Sequence, residues 1–219
     1  MKDFGIASVK ILVAPNAVDT RKFLPSGKGV TPELAAKGWP MGRRVALYTG
    51  SLLPWKGVST LARAAKFLPE DFAVVVVCGN VEDQTKLREL VAAEGISERV
   101  VVFPHVPHSS VPEFFAAADV LVLPTSGTEP IGREETSPIK AFEYLSAVKP
   151  IVASDVPSSR EVLDESVAHF FTPDDPRSLA LAIEKAVAEW RWAEGQKETY
   201  YKKIQTWDQR AQAVLSFLS

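Results

Sequence analysis

Two glutamates flank the predicted start of a helix in the stretch ETSPIKAFEY, where seven residues separate Glu135 from Glu143. A carboxylate on such a helix can accept both hydroxyls of a ribose, and a carboxylate ahead of it can accept a sugar hydroxyl. The first backbone amides of a helix favour a phosphate. A simpler interpretation is that Glu135 complements the helix dipole and Glu143 is a surface carboxylate, so the pair alone leaves both open.

A second candidate site is the loop GSLLPWKG, which follows an apolar, β-prone run ending at Thr49. Gly50 lets the backbone turn sharply and approach a ligand. Lys56 and Gly57 stand just before a predicted helix, and a lysine beside backbone amides at a strand-to-helix turn typically binds an anion. A solvated lysine in an ordinary loop fits the same pattern.

The elements that position these residues follow from the alternation of apolar runs with helical patterns, which indicates βαβ units. We predict an α/β, Rossmann-like, doubly wound parallel sheet of about six strands. The predicted strands are Val9–Ala14, Val45–Thr49, Phe72–Cys78, Val100–Phe103, Val120–Leu123, Ile151–Ala153 and Val167–Phe171. The predicted helices are Pro32–Lys37, Val58–Leu68, Val81–Glu94, Val111–Ala118, Pro138–Ala147, Ser158–Leu163, Pro176–Glu194 and Trp207–Leu218, with Arg191–Lys203 as a connector before the last.

This topology predicts where the candidate residues meet. Ligands of such sheets bind beyond the carboxyl ends of the strands, so site residues are expected just after Thr49, Cys78, Phe103 and Leu123. Lys56 and Glu143 follow the first and the last of these strands, so we expect them to share one crevice.

Composition excludes several classes of protein. The 219 residues include 25 Lys and Arg against 27 Asp and Glu, a net charge of −2, which lacks the basic excess of a nucleic-acid binder. The single cysteine, Cys78, allows no intramolecular disulfide and no multi-cysteine zinc site. No apolar run reaches the roughly 20 residues of a membrane span, and the first residues lack the apolar stretch of a signal peptide. His105 and His108 have no carboxylate or cysteine partner in the sequence pattern, so no metal site is predicted.

Five stretches together carry a resemblance to a known family. The chain resembles the C-terminal, donor-binding half of a GT-B-fold glycosyltransferase of the large retaining group that includes glycogen and sucrose-phosphate synthases. The stretches are PNAVDTRKF (Pro15–Phe23), YTGSLLPWKG (Tyr48–Gly57), Val101–Pro124, Glu135–Asp155 and FFTPDDPRSLALAI (Phe170–Ile183). The resemblance implies that residues 1–219 form a single donor-binding domain with a terminal helix over 204–219.

The resemblance assigns roles to the loop after the first central strand and to a later loop. It implies that Lys56 contacts the donor pyrophosphate, that Gly50 shapes the loop, and that the backbone at His105 and Val106 faces the nucleotide base. Many family members have arginine where this chain has Ser51. One of two phosphate cations is therefore missing.

The resemblance also assigns roles around the paired glutamates. It implies that Glu135 contacts the donor sugar, that Glu143 holds the ribose hydroxyls, and that the amides of Thr136, Ser137 and Ile139 bind phosphate or sugar. Lys56 and Glu135 are the implied catalytic residues. Arg133 is a candidate replacement for the cation lost at Ser51, and a solvated arginine is the alternative.

The activity implied is transfer of a sugar from a nucleotide-diphosphate donor to an acceptor, with retention and without a metal or other cofactor. The acceptor domain would precede this chain, so the chain alone is expected to bind a nucleotide diphosphate weakly and to transfer no sugar. The implied location is cytoplasmic, with a peripheral place at the inner membrane face left open for a full-length protein. The alternatives are a non-catalytic nucleotide-sugar-binding module and a nucleotide-sugar epimerase, while an oxidoreductase would need a Gly-x-Gly-x-x-Gly turn that is absent.

Overall fold

The structure, a computed structural model, describes residues 11–23, 29–190 and 194–218. The strands are β1 (Arg44–Gly50), β2 (Phe72–Cys78), β3 (Val100–Phe103), β4 (Val120–Leu123), β5 (Ile151–Ser154) and β6 (His169–Phe171). Within the described residues they form one six-stranded sheet in the order β3-β2-β1-β4-β5-β6, and every pair is parallel. The predicted α/β, Rossmann-like sheet is confirmed.

The sheet is covered on both faces because its strands are continuously apolar. All seven residues of β2 are buried, and each pairs in parallel with a residue of β1. Successive side chains enter opposite cores, with Leu47 and Val75 on one face and Tyr48 and Val76 on the other. Burial of apolar surface at roughly 25 cal/mol per Å² stabilises both layers and fixes the strand ends that carry the loops.

The helices pack on the two faces of the sheet. They are α1 (Pro32–Ala36), α2 (Val58–Ala64), α3 (Val81–Ala93), α4 (Val111–Ala117), α5 (Pro130–Arg133), α6 (Ile139–Ala147), α7 (Pro157–Arg160), α8 (Pro176–Glu189), α9 (Glu194–Lys202) and α10 (Trp207–Leu218). The predicted helices are present with shifted ends, and α5 lies in a loop for which no helix was predicted. Among the helices described, none is long and apolar enough to cross a bilayer.

The prediction of a connector over Arg191–Lys203 is wrong for most of that stretch, where α9 forms; residues 191–193 lie outside the described residues. Tyr200 explains the difference because it anchors this polar helix. Its ring is buried edge-on to Trp190 with 6.0 Å between ring centroids. Its hydroxyl donates to the carbonyl of Lys149 at 3.1 Å. Tertiary packing thus overrides a composition that favours no core-facing helix.

The prediction of a strand over Val9–Ala14 is wrong for residues 11–14, which make no strand, and residues 9 and 10 lie outside the described residues. Val13 is 65% exposed, so this apolar run finds no sheet edge to pair with. Pairing in this segment occurs later, where Val18 forms a parallel bridge with Thr206 and its amide donates to the Gln205 carbonyl at 3.0 Å.

The strand order reverses between β1 and β4, which lie side by side although two strands separate them in the sequence. Their register pairs Ala46 with Val120 and Leu47 with Leu121. Loops that leave such neighbouring strands diverge to opposite faces, and the crevice between them is where open α/β sheets bind ligands. The two loops singled out in the sequence begin at this crevice.

Candidate functional site

A cleft of about 260 Å³ lies at the carboxyl ends of β1 and β2. Four predicted site residues line it, namely Gly50, Ser51, His105 and Val106. The remaining lining residues are Thr49, Val77, Cys78, Gly79, His108, Val111 and Lys140. The cleft is therefore built from three strand ends and from the first turn of α6, as the topology predicts.

Two glycines shape the loop between β1 and α2. Gly57 has φ +65°, and a Cβ there would lie 1.8 Å from the carbonyl oxygen of Pro124, directly after β4. Gly50 has φ +150°, and a Cβ there would lie 2.8 Å from the hydroxyl oxygen of Tyr48. That hydroxyl donates to the Ser51 carbonyl at 2.7 Å. Only glycine fits both positions, and the loops after β1 and β4 are held in contact.

Lys56 ends a 3₁₀ turn, Pro54–Lys56, immediately before Gly57. Its ammonium lies 3.7 Å from the centroid of the Trp55 ring, in a cation–π contact. Burial, and secondarily the like charge of Lys140, lower the pKa of Lys56 from 10.5 to about 8. Lys56 is a half-buried cation whose charge is sensitive to a nearby anion.

Glu143 lies on α6 and is 3% exposed. Its Oε2 accepts a hydrogen bond from the ammonium of Lys140 at 2.7 Å, and its Oε1 lies 3.1 Å from Nε2 of His108. His108 in turn contacts the buried ring of Phe23 edge-on, with 5.4 Å between centroids. The surface-carboxylate interpretation is wrong, because this carboxylate is buried and paired at the cleft.

Lys56 and Glu143, which were expected to share one crevice, do not line the cleft themselves; Lys140 lines it and interacts with both, and no role was predicted for Lys140 from the sequence. It bonds to Glu143 and adds to the lowering of the pKa of Lys56. The signal was present in the spacing, because residues three apart on a helix share a face. His108 was considered only as a metal ligand, and its contact with Glu143 across 35 positions is a product of the fold.

The turn ahead of α6 is anchored from the start of the chain. The Asn16 amide donates to Ser137 Oγ at 3.1 Å, and the Asn16 side chain donates to the Ser137 carbonyl at 2.7 Å. Thr136 Oγ1 donates to the Ile131 carbonyl at 2.6 Å, which ties the turn to α5. Thr136, Ser137 and Ile139 thus adjoin Lys140 without lining the cleft themselves. The first amides of α6 have no partner within their own helix.

The remaining candidates lie on the exposed part of this loop. Glu135 is exposed just ahead of the turn. The Arg133 guanidinium bonds to Glu134 Oε1 at 2.9 and 2.6 Å. Arg133 is therefore engaged by its sequence neighbour and does not line the cleft, so the structure does not bring it to the place of the cation lost at Ser51.

The sequence of this chain matches a known protein family. The sequence pattern of the family described as "Glycosyl transferases group 1" matches residues 31–205, most of the chain. The chain belongs to the group 1 glycosyltransferases. The matched range includes the cleft and both loops that flank it.

Several curated proteins and solved structures resemble this chain over most of its length. A D-inositol 3-phosphate glycosyltransferase of Xylanimonas cellulosilytica is 28% identical over 224 residues, which cover 97% of this chain and 52% of that protein. A sucrose-phosphate synthase structure from Thermosynechococcus elongatus has a TM-score of 0.76 at 22% identity, covering 94% of this chain and 51% of that one. Anabaena HepE in complex with UDP-glucose has a TM-score of 0.71 at 20% identity, covering 92% and 55%. The chain thus spans about half the length of these proteins.

Proposed function

We propose that this chain is the donor-binding half of a glycosyltransferase that transfers a hexosyl group from a nucleotide-diphosphate sugar, with retention, to an acceptor held by another domain. The observation that carries the proposal is that Lys140 lines a cleft at the strand ends, bonds to Glu143, and lies near enough to Lys56 for its charge to lower the pKa of that lysine. A buried carboxylate paired with the ammonium of Lys140 at the edge of the cleft fits a ligand that combines hydroxyls with phosphates.

The donor would lie across the ends of the strands. Its diphosphate would contact Lys56 and the first amides of α6, and its ribose would bond to Glu143. Its base would face the backbone at His105 and Val106, which line the cleft. Its sugar would extend toward Glu135 on the exposed loop.

This arrangement serves the chemistry of transfer. Cleavage of the glycosidic bond places negative charge on the departing diphosphate, and preorganised donors at that point stabilise the transition state. Lys56 and the amides at the start of α6 supply such donors without the involvement of a metal. The acceptor would have to approach from the open side of the cleft.

Relatives support the donor class. The Anabaena protein of similar fold binds UDP-glucose. The relatives also include an O-antigen chain mannosyltransferase of Salmonella typhimurium, 23% identical over 182 residues that cover 83% of this chain and 46% of that protein. Because this chain spans about half of such proteins, we expect it to bind donor and to leave transfer to the longer protein.

Calorimetric titration with UDP, GDP and ADP tests donor binding, with Glu143→Ala as the site variant. Glu198→Ala, on an exposed position of α9, is the matched control. One diphosphate should bind the parent and the control equally and should bind Glu143→Ala about tenfold more weakly, as expected for lost hydrogen bonds to a charged group. Equal binding to all three proteins would refute the ribose assignment.

Assays for hydrolysis and transfer test whether this chain alone can turn over a nucleotide sugar. The same chain is incubated with UDP-, GDP- and ADP-sugars, and release of free sugar is measured. No turnover is expected from the chain alone, and clear turnover would show that it holds a complete active site.

A further inference from the structure

Two ammonium groups lie near the cleft: Lys140 lines it, and Lys56, which does not, is close enough for the charge of Lys140 to lower its pKa. Lys140 and Ser51 both line the cleft, while Lys56 ends the turn that follows Ser51. We propose that Lys140 is the second cation that binds the donor diphosphate, reaching it from α6 instead of from the loop after β1. This assignment rests on the proposed function and extends it to a residue that the family resemblance did not assign.

Lys140 lies at the cleft, at the start of a helix. It occupies the first turn of α6, an element of nine residues, so its ammonium and the free amides of that turn lie at the same end of the helix. Ser51 lines the same cleft, is exposed and carries no charge. A diphosphate seated in the cleft would therefore meet the ammonium of Lys140, with Lys56 in the turn that follows Ser51.

The charges around Lys140 also favour a bound anion. Lys140 and Lys56 are close enough that the charge of one lowers the pKa of the other, so they repel in the unliganded protein. One carboxylate, Glu143, pairs with Lys140 at 2.7 Å. Glu143 thus neutralises Lys140, while no carboxylate among the described residues pairs with Lys56. A diphosphate, which carries more than one negative charge, would relieve the repulsion.

Arg133, the other candidate for the second cation, does not line the cleft. Its guanidinium makes two hydrogen bonds to Glu134 on the exposed loop. Glu143 holds Lys140 in place instead, because this carboxylate is buried and its other oxygen is fixed by His108. The ammonium of Lys140 is therefore preorganised at the cleft before any ligand arrives.

The test is a comparison of Lys140→Gln with the parent in titrations with UDP, GDP, ADP and inorganic pyrophosphate. The glutamine amide can keep a hydrogen bond to Glu143 but carries no charge. We expect about a tenfold loss of affinity for the bound diphosphate and for pyrophosphate, the usual range for a lost charged hydrogen bond. Lys140→Arg should bind within roughly threefold of the parent, since it keeps the charge.

Two further variants separate direct binding from positioning of Glu143. Adding Ser51→Arg to Lys140→Gln should recover most of the lost affinity, because it returns a cation to the cleft from the other side. The loss caused by Lys140→Gln should also persist in a Glu143→Ala background. Lys185→Gln, whose lysine pairs with Glu189 on α8 at 3.9 Å, is the matched control and should bind like the parent.

These titrations distinguish failure of this inference from failure of the proposed function. If the parent binds diphosphates and Glu143→Ala weakens them while Lys140→Gln does not, this inference fails and the proposed function stands. If Ser51→Arg restores nothing and the effect of Lys140→Gln vanishes in the Glu143→Ala background, Lys140 only positions Glu143 and the inference fails. If the parent binds none of the probes, both the proposed function and this inference fail.

Discussion

Asn16 and Ser137, 121 positions apart in the sequence, are joined by two hydrogen bonds. They tie the segment that precedes the sheet to the turn from which α6 starts. The side-chain oxygen of Asn16 also lies 3.4 Å from the guanidinium of Arg210 on α10. The start of α6, and with it Lys140, is therefore positioned by residues from both ends of the described chain.

Asn16→Ala should lower the free energy of unfolding by about 1–3 kcal/mol, because the Ser137 carbonyl loses its side-chain donor while the backbone amide of residue 16 still bonds to Ser137 Oγ. Ser137→Ala should cost less, since the 2.7 Å bond from the Asn16 side chain to the Ser137 carbonyl remains. Urea unfolding of the two variants measures the difference. A loss for Ser137→Ala as large as that for Asn16→Ala would contradict the larger role of the bond to the Ser137 carbonyl.

Gly57→Ala should be among the most destabilising single substitutions in the described chain. It places a Cβ 1.8 Å from the Pro124 carbonyl oxygen at a backbone φ of +65°. Gly95→Ala is the matched control, with φ +68° and nothing within 4 Å of the added Cβ. The control should lose about 1–2 kcal/mol from the left-handed conformation, and Gly57→Ala clearly more because of the added clash. Denaturant unfolding compares them, and similar losses would contradict the contact between the loops.

Diphosphate affinity should fall as the pH rises through 8. The pKa of Lys56 is lowered to about 8, and the protonated ammonium is the form that binds an anion. Below pH 8 the cation is present. Above pH 8 it is lost unless the ligand restores it, so binding there should take up a proton.

Titrations between pH 7 and 9.5 in buffers of different ionisation enthalpy would detect this proton uptake. Lys56→Arg keeps its charge throughout this range and should show a flatter profile. A parent protein whose affinity is constant over the same range would contradict the assignment of Lys56 to the diphosphate.

His108→Phe should reduce discrimination between a ribonucleoside diphosphate and its 2′- and 3′-deoxy analogues. The phenyl ring keeps an edge contact with Phe23 but loses the nitrogen that lies 3.1 Å from Glu143 Oε1. The carboxylate is then less firmly oriented toward a ribose, and we expect the ratio of the two affinities to fall by roughly threefold. His169→Phe is the control, since its ring pairs with Glu189 instead. An unchanged affinity ratio would assign His108 a packing role only.

The sheet could be predicted from the sequence because each central strand is a continuous apolar run that can be recognised on its own. The run over Phe72–Cys78 is wholly buried, as its composition predicts. The position of the cleft after Thr49, Cys78 and Phe103 was also predictable, because parallel strands end at one edge.

Contacts that depend on tertiary structure could not be predicted in this way. The contact of His108 with Glu143 spans two helices, and nothing local signals it. The helix around Tyr200 forms because its aromatic side chain is buried, although the surrounding residues are polar. Val13 shows the converse, since an apolar run does not become a strand without an available edge.

The close approach of Gly57 to the Pro124 carbonyl limits how this scaffold can vary. Ser126 adds to the limit, since its amide donates to the Trp55 carbonyl at 3.0 Å. An insertion at the beginning of the loop after β4 would pull the two loops apart and displace Lys56. Changes in loop length are therefore confined to the stretch beyond Ser126, where α5 lies, and this stretch can diverge between related proteins without displacing Lys56.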